Sequence, residues 1–261
     1  MIIGKSRKEI EKMRAAGQVA GQVLQALRAM IEPGLTTIEV DTAAEKMIRD
    51  AGANPTFKGY NGFPYSICAS VNEQVVHGFP SAYELKEGDI FSIDCGATLY
   101  GFVGDTAATI PVGKVSEECL KLIRITEECL DLAIEQCRVG KHVGDIGWVV
   151  QQHAETHGYS VVRDYVGHGV GRRMHEDPQI PNYGTPGKGP KIKPGYVFAV
   201  EPMINLGSHL TKVLADGWTV ATLDGRPSAH SEHTIAITED GPEVLTRVAL
   251  GSPAIREAVS V

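Results

Sequence analysis

The sequence predicts an α+β fold, a pseudo-duplicated domain in which helices pack against an antiparallel sheet. Three observations predict it. The elements run helix, helix, strands, hairpin and then repeat that order, although the halves share no clear sequence repeat. The strand-like runs are short, rich in β-branched and aromatic residues, and bounded by turn residues. No linker divides the halves, so the 261 residues read as one domain, 1–261, with halves of about 1–113 and 114–250.

Ser6 with Glu9 has the pattern of a capping box. Ile10, Met13, Ala16, Gly17, Ala20, Val23, Leu24 and Leu27 then recur at helical spacing, so a helix runs to about Ile31 and stops at Pro33 and Gly34. Thr36 with Glu39 repeats the capping signal, and the apolar spacing from Ile38 to Ala51 gives a second helix ending at Gly52. Residues 54–64 form a loop rich in Gly, Pro and aromatics, followed by short strands over 65–71 and 74–77. The hairpin that follows turns at Tyr100 and Gly101, because Gly101 can take the positive φ of a tight turn. A turn centred there sets Gly96 opposite Asp105. Asp94 and Asp105 then share a face on the diagonal, about 7–8 Å apart between backbones. Ser116 with Glu117 and Glu118 opens a third helix reaching about Arg138, and 143–158 forms a fourth. The Pro- and Gly-rich run from Pro181 to Gly195 is either a plain surface loop or the rim of a cleft.

Composition narrows the function. A net charge of -7 argues against an extended nucleic-acid surface. Five cysteines, an odd number with no CxxC pattern, suit a reducing compartment. The first ten residues lack the apolar core of a signal peptide, and no run approaches the ~18 apolar residues of a membrane span. The expectation is a cytoplasmic soluble protein.

The chemistry accumulates at a few points. Asp94 and Asp105 are either two solvated acids flanking the turn or a pair converging on one sheet face, where they repel unless something positive lies between them. His168 sits between glycines in Gly167-His168-Gly169, where the backbone can approach a ligand closely. Glu201 ends the apolar run 197–200, and burying an unpaired carboxylate costs several kcal/mol, so it calls for a cation or a proton. Glu232 stands at the mouth of another apolar strand. The four acids carry about -4, which two divalent ions offset. A mostly oxygen site with one nitrogen fits Mn, Fe, Co or Zn and disfavours a thiolate-type structural zinc. Two such ions roughly 3.5–4 Å apart can activate one water and polarise a carbonyl. The reaction class is metal-assisted hydrolysis. By contrast, His142, His153 and His157 lie along the fourth helix without a carboxylate motif and read as surface residues.

The motifs Ser92-Ile93-Asp94-Cys95-Gly96, Gly104-Asp105-Thr106, Gly167-His168-Gly169-Val170-Gly171, Val200-Glu201-Pro202-Met203 and Glu232-His233-Thr234 resemble type I methionine aminopeptidases of the bacterial kind. The resemblance covers nearly the whole chain in order and length. It implies the "pita-bread" fold, a pseudo-twofold antiparallel sheet with helices on its outer face. It also implies a metal-dependent aminopeptidase that removes the N-terminal methionine, preferentially before a small second residue. By resemblance Asp94 binds one metal and His168 the other, with Asp105 and Glu232 bridging. Glu201 is ligand and proton shuttle, while His77 and His175 contact the substrate and stabilise the tetrahedral intermediate. Tyr60, Phe63, Cys68, Met174 and Trp218 match positions lining the methionine pocket. Phe57 and Met174 depart from the family pattern, standing where many relatives have a smaller residue and a phenylalanine. The implied substrates are nascent polypeptide N-termini, with a ribosome contact as one route to them, for a monomer that recognises neither nucleic acid nor membrane directly. Two alternatives share the fold: a proline dipeptidase or Xaa-Pro aminopeptidase, which usually carries an extra N-terminal domain, and a non-catalytic binding protein, which would be expected to lose ligands.

Overall fold

The computed structural model describes residues 2–248. Met1 and the residues from 249 on, at the two ends of the expected domain, lie outside the described residues. Both capping boxes form: Ser6 with Glu9 opens α1 (Arg7–Met30), and Thr36 with Glu39 opens α2 (Thr37–Asp50). Each side-chain oxygen satisfies an amide that the first turn leaves without a partner. Ser116 caps α3 (Glu117–Gln136) through the backbone N–H of Cys119, and α4 spans Val143–Thr156.

One antiparallel sheet organises the rest. Its main path runs through the strands Asn54–Pro55, Ile90–Leu99, Phe102–Pro111, Glu232–Thr238, Val197–Val200, Gly167–Gly169 and Glu176–Ile180. Ile67–Val71 pairs beside Ile90–Leu99, and Gly241–Val244 beside Glu232–Thr238. The hairpin register is the expected one, with Gly96 opposite Asp105. Its turn places both Tyr100 (φ 54°) and Gly101 (φ 75°) in the left-handed region, the two-residue geometry that matches strand twist.

Alternation along each strand separates two faces. Phe91, Ile93 and Cys95 join α1 and α2 in one apolar core, while Phe198, Val200, Ile235 and Ile237 join α3 and α4 in another. The helices therefore cover one face of the sheet in two pairs. Asp94, Asp105, Glu201 and Glu232 fall on the other. α1 presses closely on the hairpin: a Cβ on Gly104 would meet the backbone N of Gly17 at 2.4 Å. Among the described residues no helix is long and apolar enough to cross a membrane.

The 181–195 segment is no cleft rim. It folds onto the start of α4, where Val143 and Gly144 donate backbone bonds to Pro190 and Lys188 and a Cβ on Gly147 would strike the Tyr183 carbonyl. Gly184 serves that close packing, since a Cβ there would meet the Gly144 carbonyl, and none of the segment's residues lines the cavity described below.

Candidate active site

Register builds the site. Asp94 lies across from Ala107, and Ala107 lies across from Glu232, so the two acids flank a small residue in one row of three strands. Asp105 precedes Ala107 by two and shares its face. A second row runs Thr234, Ala199, His168, with Glu201 two residues beyond Ala199. The alanines leave room above the sheet, and longer polar side chains close around that room.

All five expected ligands converge there. Atoms of Asp105, His168 and Glu232 lie within 4.8 Å of one another. His168 Nε2 stands 3.8 Å from Asp105 Oδ2 and 3.5 Å from Glu201 Oε1. Asp105 is the charged group that acts most strongly on Asp94. His168 Nδ1–H donates to the Gly169 carbonyl at 2.9 Å, which leaves the Nε2 lone pair aimed at the acids.

The electrostatics are those of carboxylates crowded together out of water. Asp94 Oδ1, Asp105 Oδ1 and Glu232 Oε1 are buried without a hydrogen-bond partner. Burial, and then the neighbouring acids, push Asp94, Asp105 and Glu232 far above the usual carboxylate range. Burial alone raises Glu201 to about 8. Burial, with a lesser contribution from His175, lowers His168 to about 3 and keeps it neutral. Unsatisfied buried oxygens are costly, and an oxygen-rich set with one imidazole suits a divalent ion of the harder transition-metal kind. The residues fit such a metal.

Above this floor opens a cavity of about 330 Å³. The expected pocket residues Tyr60, Phe63, Cys68, Met174 and Trp218 line it, together with His77 and His175. Phe63 sits edge-on to Trp218 with ring centres 5.2 Å apart, forming an apolar wall. Cys68 lies across the ladder from Asp94, and burial holds its thiol well above its usual pKa. His175 is 4.3 Å from the His168 ring, and its Nδ1 shares a 2.7 Å hydrogen bond with the Tyr60 hydroxyl. His77 has φ 59°, a strained conformation for a residue with a Cβ, and burial lowers its pKa to about 4. Such strain concentrates where a side chain must be aimed. Phe57 also reaches the cavity, its ring occupying the space a Cβ on Gly96 would take.

His230 escaped the sequence reading. It is 1% exposed, and its Nε2 lies 3.6 Å from Glu201 Oε2. No local pattern marked it, since it reaches the site through the pairing of Ser228–His230 with Met203–Asn205, in a sheet separate from that of Glu232. His142, His153 and His157 lie elsewhere: His142 caps α4, and His153 pairs with Glu128 at 2.8 Å.

With this geometry in place, likeness to known proteins becomes informative. Residues 11–239 match the model of metallopeptidase family M24. A methionine aminopeptidase of Clostridium perfringens is 55% identical over 248 residues, covering 95% of this chain and all of that protein. Methionine aminopeptidase 1 of Bacillus subtilis is 52% identical with the same coverage. The crystal structure of a methionine aminopeptidase from Thermotoga maritima superposes with a TM-score of 0.94 at 47% identity, covering 95% of this chain and 100% of that one. Agreement at this level spans the strands that bring the acids together as well as the helices behind them, and it places the chain in metallopeptidase family M24, among the methionine aminopeptidases.

Proposed function

We propose that this protein removes the N-terminal methionine from peptides and nascent proteins, preferentially before a small residue, using two divalent metal ions. One observation carries the reading: three unpartnered buried carboxylate oxygens and a neutral imidazole nitrogen converge on the floor of an aromatic cavity. Asp94, Asp105, His168, Glu201 and Glu232 would hold the two ions. When bound, the metal supplies a nucleophilic water at neutral pH and polarises the scissile carbonyl.

The chain's own residues do the rest. The Glu201 carboxylate takes the proton of the attacking water and gives it to the departing amine, a role suited to an acid raised toward neutral pH. His77 and His175 face the cavity from opposite elements and donate to the oxygen on which negative charge develops. Phe63, Trp218, Cys68, Tyr60 and Met174 give the thioether a soft apolar and aromatic surround. The substrates in this reading are newly made chain N-termini met in the cytoplasm, near the ribosome or free of it, by a monomer.

The test is cleavage of Met-Gly-Met beside an Xaa-Pro dipeptide. Methionine release, lost on chelation and restored by Mn or Co, is the expected result. Glu201→Gln should lower kcat by about 10²–10⁴-fold, the range for a general base, while circular dichroism shows a folded chain. Preferential cleavage of Xaa-Pro, or undiminished activity in a metal-free preparation, would overturn the proposal.

A further inference from the structure

Beneath the turn that joins Gly167–Gly169 to Glu176–Ile180 lies a buried ion pair that this chemistry does not use. Lys5 Nζ is 2.5 Å from Glu176 Oε2, and the side chains are 6% and 7% exposed. Burying two charges is costly and gains little stability over a packed apolar pair, so such a pair is better suited to fixing geometry. Its surroundings say which geometry. The Lys5 backbone N–H donates to Gly195 O at 2.7 Å, and its ammonium donates to Ile3 O at 2.9 Å. Glu176 Oε1 accepts the Arg173 backbone N–H at 3.3 Å. Gly171 closes over both charges, for a Cβ there would stand 2.5 Å from Glu176 Oε1 and 2.5 Å from Lys5 Cε. Gly171 also accepts the Val103 N–H of the hairpin at 2.9 Å.

The segment thus folded over the lysine, 171–176, carries Met174 and His175 to the cavity wall. A second tie holds its outer edge, where Arg172 lies 4.3 Å from the Phe102 ring centre and 3.5 Å from Glu9. That tie is solvent-exposed and screened, so it cannot replace the buried one.

We infer that Lys5 is a positioning residue: through Glu176 it sets the placement of Met174 and His175, and so couples the segment before α1 to the methionine pocket. The inference rests on the reading of Met174 and His175 as substrate contacts. Lys5 acts on the pocket wall and leaves the metal floor alone.

The experiment compares the metal-loaded full chain with Lys5→Met and with Lys5→Met/Glu176→Gln. It reads kcat and KM on Met-Gly-Met, metal affinity by calorimetry, the thermal midpoint, and amide hydrogen exchange. Lys5→Met alone leaves a buried carboxylate unpaired and should lower the midpoint. The double variant removes both charges and should recover the midpoint. Its KM should nevertheless stay raised by about tenfold or more, with metal affinity unchanged and exchange accelerated only within 171–176. A double variant whose KM returns together with its midpoint shows a merely structural pair and overturns the inference, as does wild-type exchange within 171–176. A wild-type chain that leaves Met-Gly-Met uncut refutes the functional reading, and amide exchange still decides whether Lys5 positions the segment.

Discussion

His230 closes the short strand Ser228–His230, where it lies across from Met203 just after Glu201, and its Nε2 stands 3.6 Å from Glu201 Oε2. Its backbone is clamped, because Thr109 Oγ1 accepts the His230 N–H at 2.8 Å and donates to the His230 carbonyl at 2.9 Å. At that separation the buried Nε2 has no hydrogen-bond partner, and a closer approach in the reacting enzyme would let its N–H donate to Glu201 and hold the acid proposed to carry the proton in one orientation. Hydrogen bonds to charged groups are worth about 1.5–3 kcal/mol, so His230→Leu should lower kcat by about ten- to a hundredfold. His230→Gln, which keeps a donor, should recover most of that loss in steady-state assays on a methionyl peptide. At this scale the sequence was legible where chemistry demanded it. Glu201 could be picked out because an acid after four apolar residues has few innocent explanations. His230 could not, since a histidine beside serine and alanine looks ordinary until its strand's partner is known. The strain at His77 is likewise visible only in the backbone.

At the scale of elements, the hairpin was the most readable part. The Tyr100–Gly101 turn fixed the register, and the register put Asp94 and Asp105 on one face. Its packing against α1 was not readable, because nothing in the spacing of Gly17 says which glycine it meets. Gly104 and Gly17 touch through backbone, and neither partner can move aside as a side chain could. Gly104→Ala should therefore cost about 1–3 kcal/mol, as overpacking does, and should weaken metal binding through Asp105 next door. Urea unfolding checks the first effect and calorimetric metal titration the second. Gly4→Ala is the matched control, since its Cβ would meet nothing nearer than 3.9 Å. The 181–195 segment shows the opposite limit: composition announced a loop, but only tertiary contact could say that it packs on α4.

For the whole molecule, the buried acids and histidines pull stability in opposite directions with pH. Asp94, Asp105, Glu201 and Glu232 have folded pKa values raised above their unfolded ones. In the metal-free chain their contribution is present below about pH 4 and is lost as pH rises, through about 8 for Glu201. His77 and His233 are each lowered from 6.5 to about 4, His77 by burial and then by His230, His233 by burial and then by Arg247. Their contribution is present above 6.5 and is lost as pH falls toward 4. Metal neutralises the acids and releases their protons. The rise in thermal midpoint on adding Mn or Co should thus be larger at pH 8 than at pH 6, as scanning fluorimetry across buffers would record. A uniform rise would contradict the raised carboxylates. The order of elements and the residues of the candidate site were legible in the sequence because periodicity and charge are local. The coupling of one half's acids to the other half's histidine was not, because it depends on which strands become neighbours.

The five cysteines, all free and all buried, give the molecule a further property. A thiol reagent meets no well-exposed sulfur on the folded chain, so labelling kinetics count excursions from the native state. Cys68 differs from the other four in bordering the cavity. Occupancy of the cavity shields that thiol directly, whereas the remaining four keep time for the body of the fold. One chain thus carries a clock for its core and a separate gauge of its pocket, with no dye or tag introduced by design.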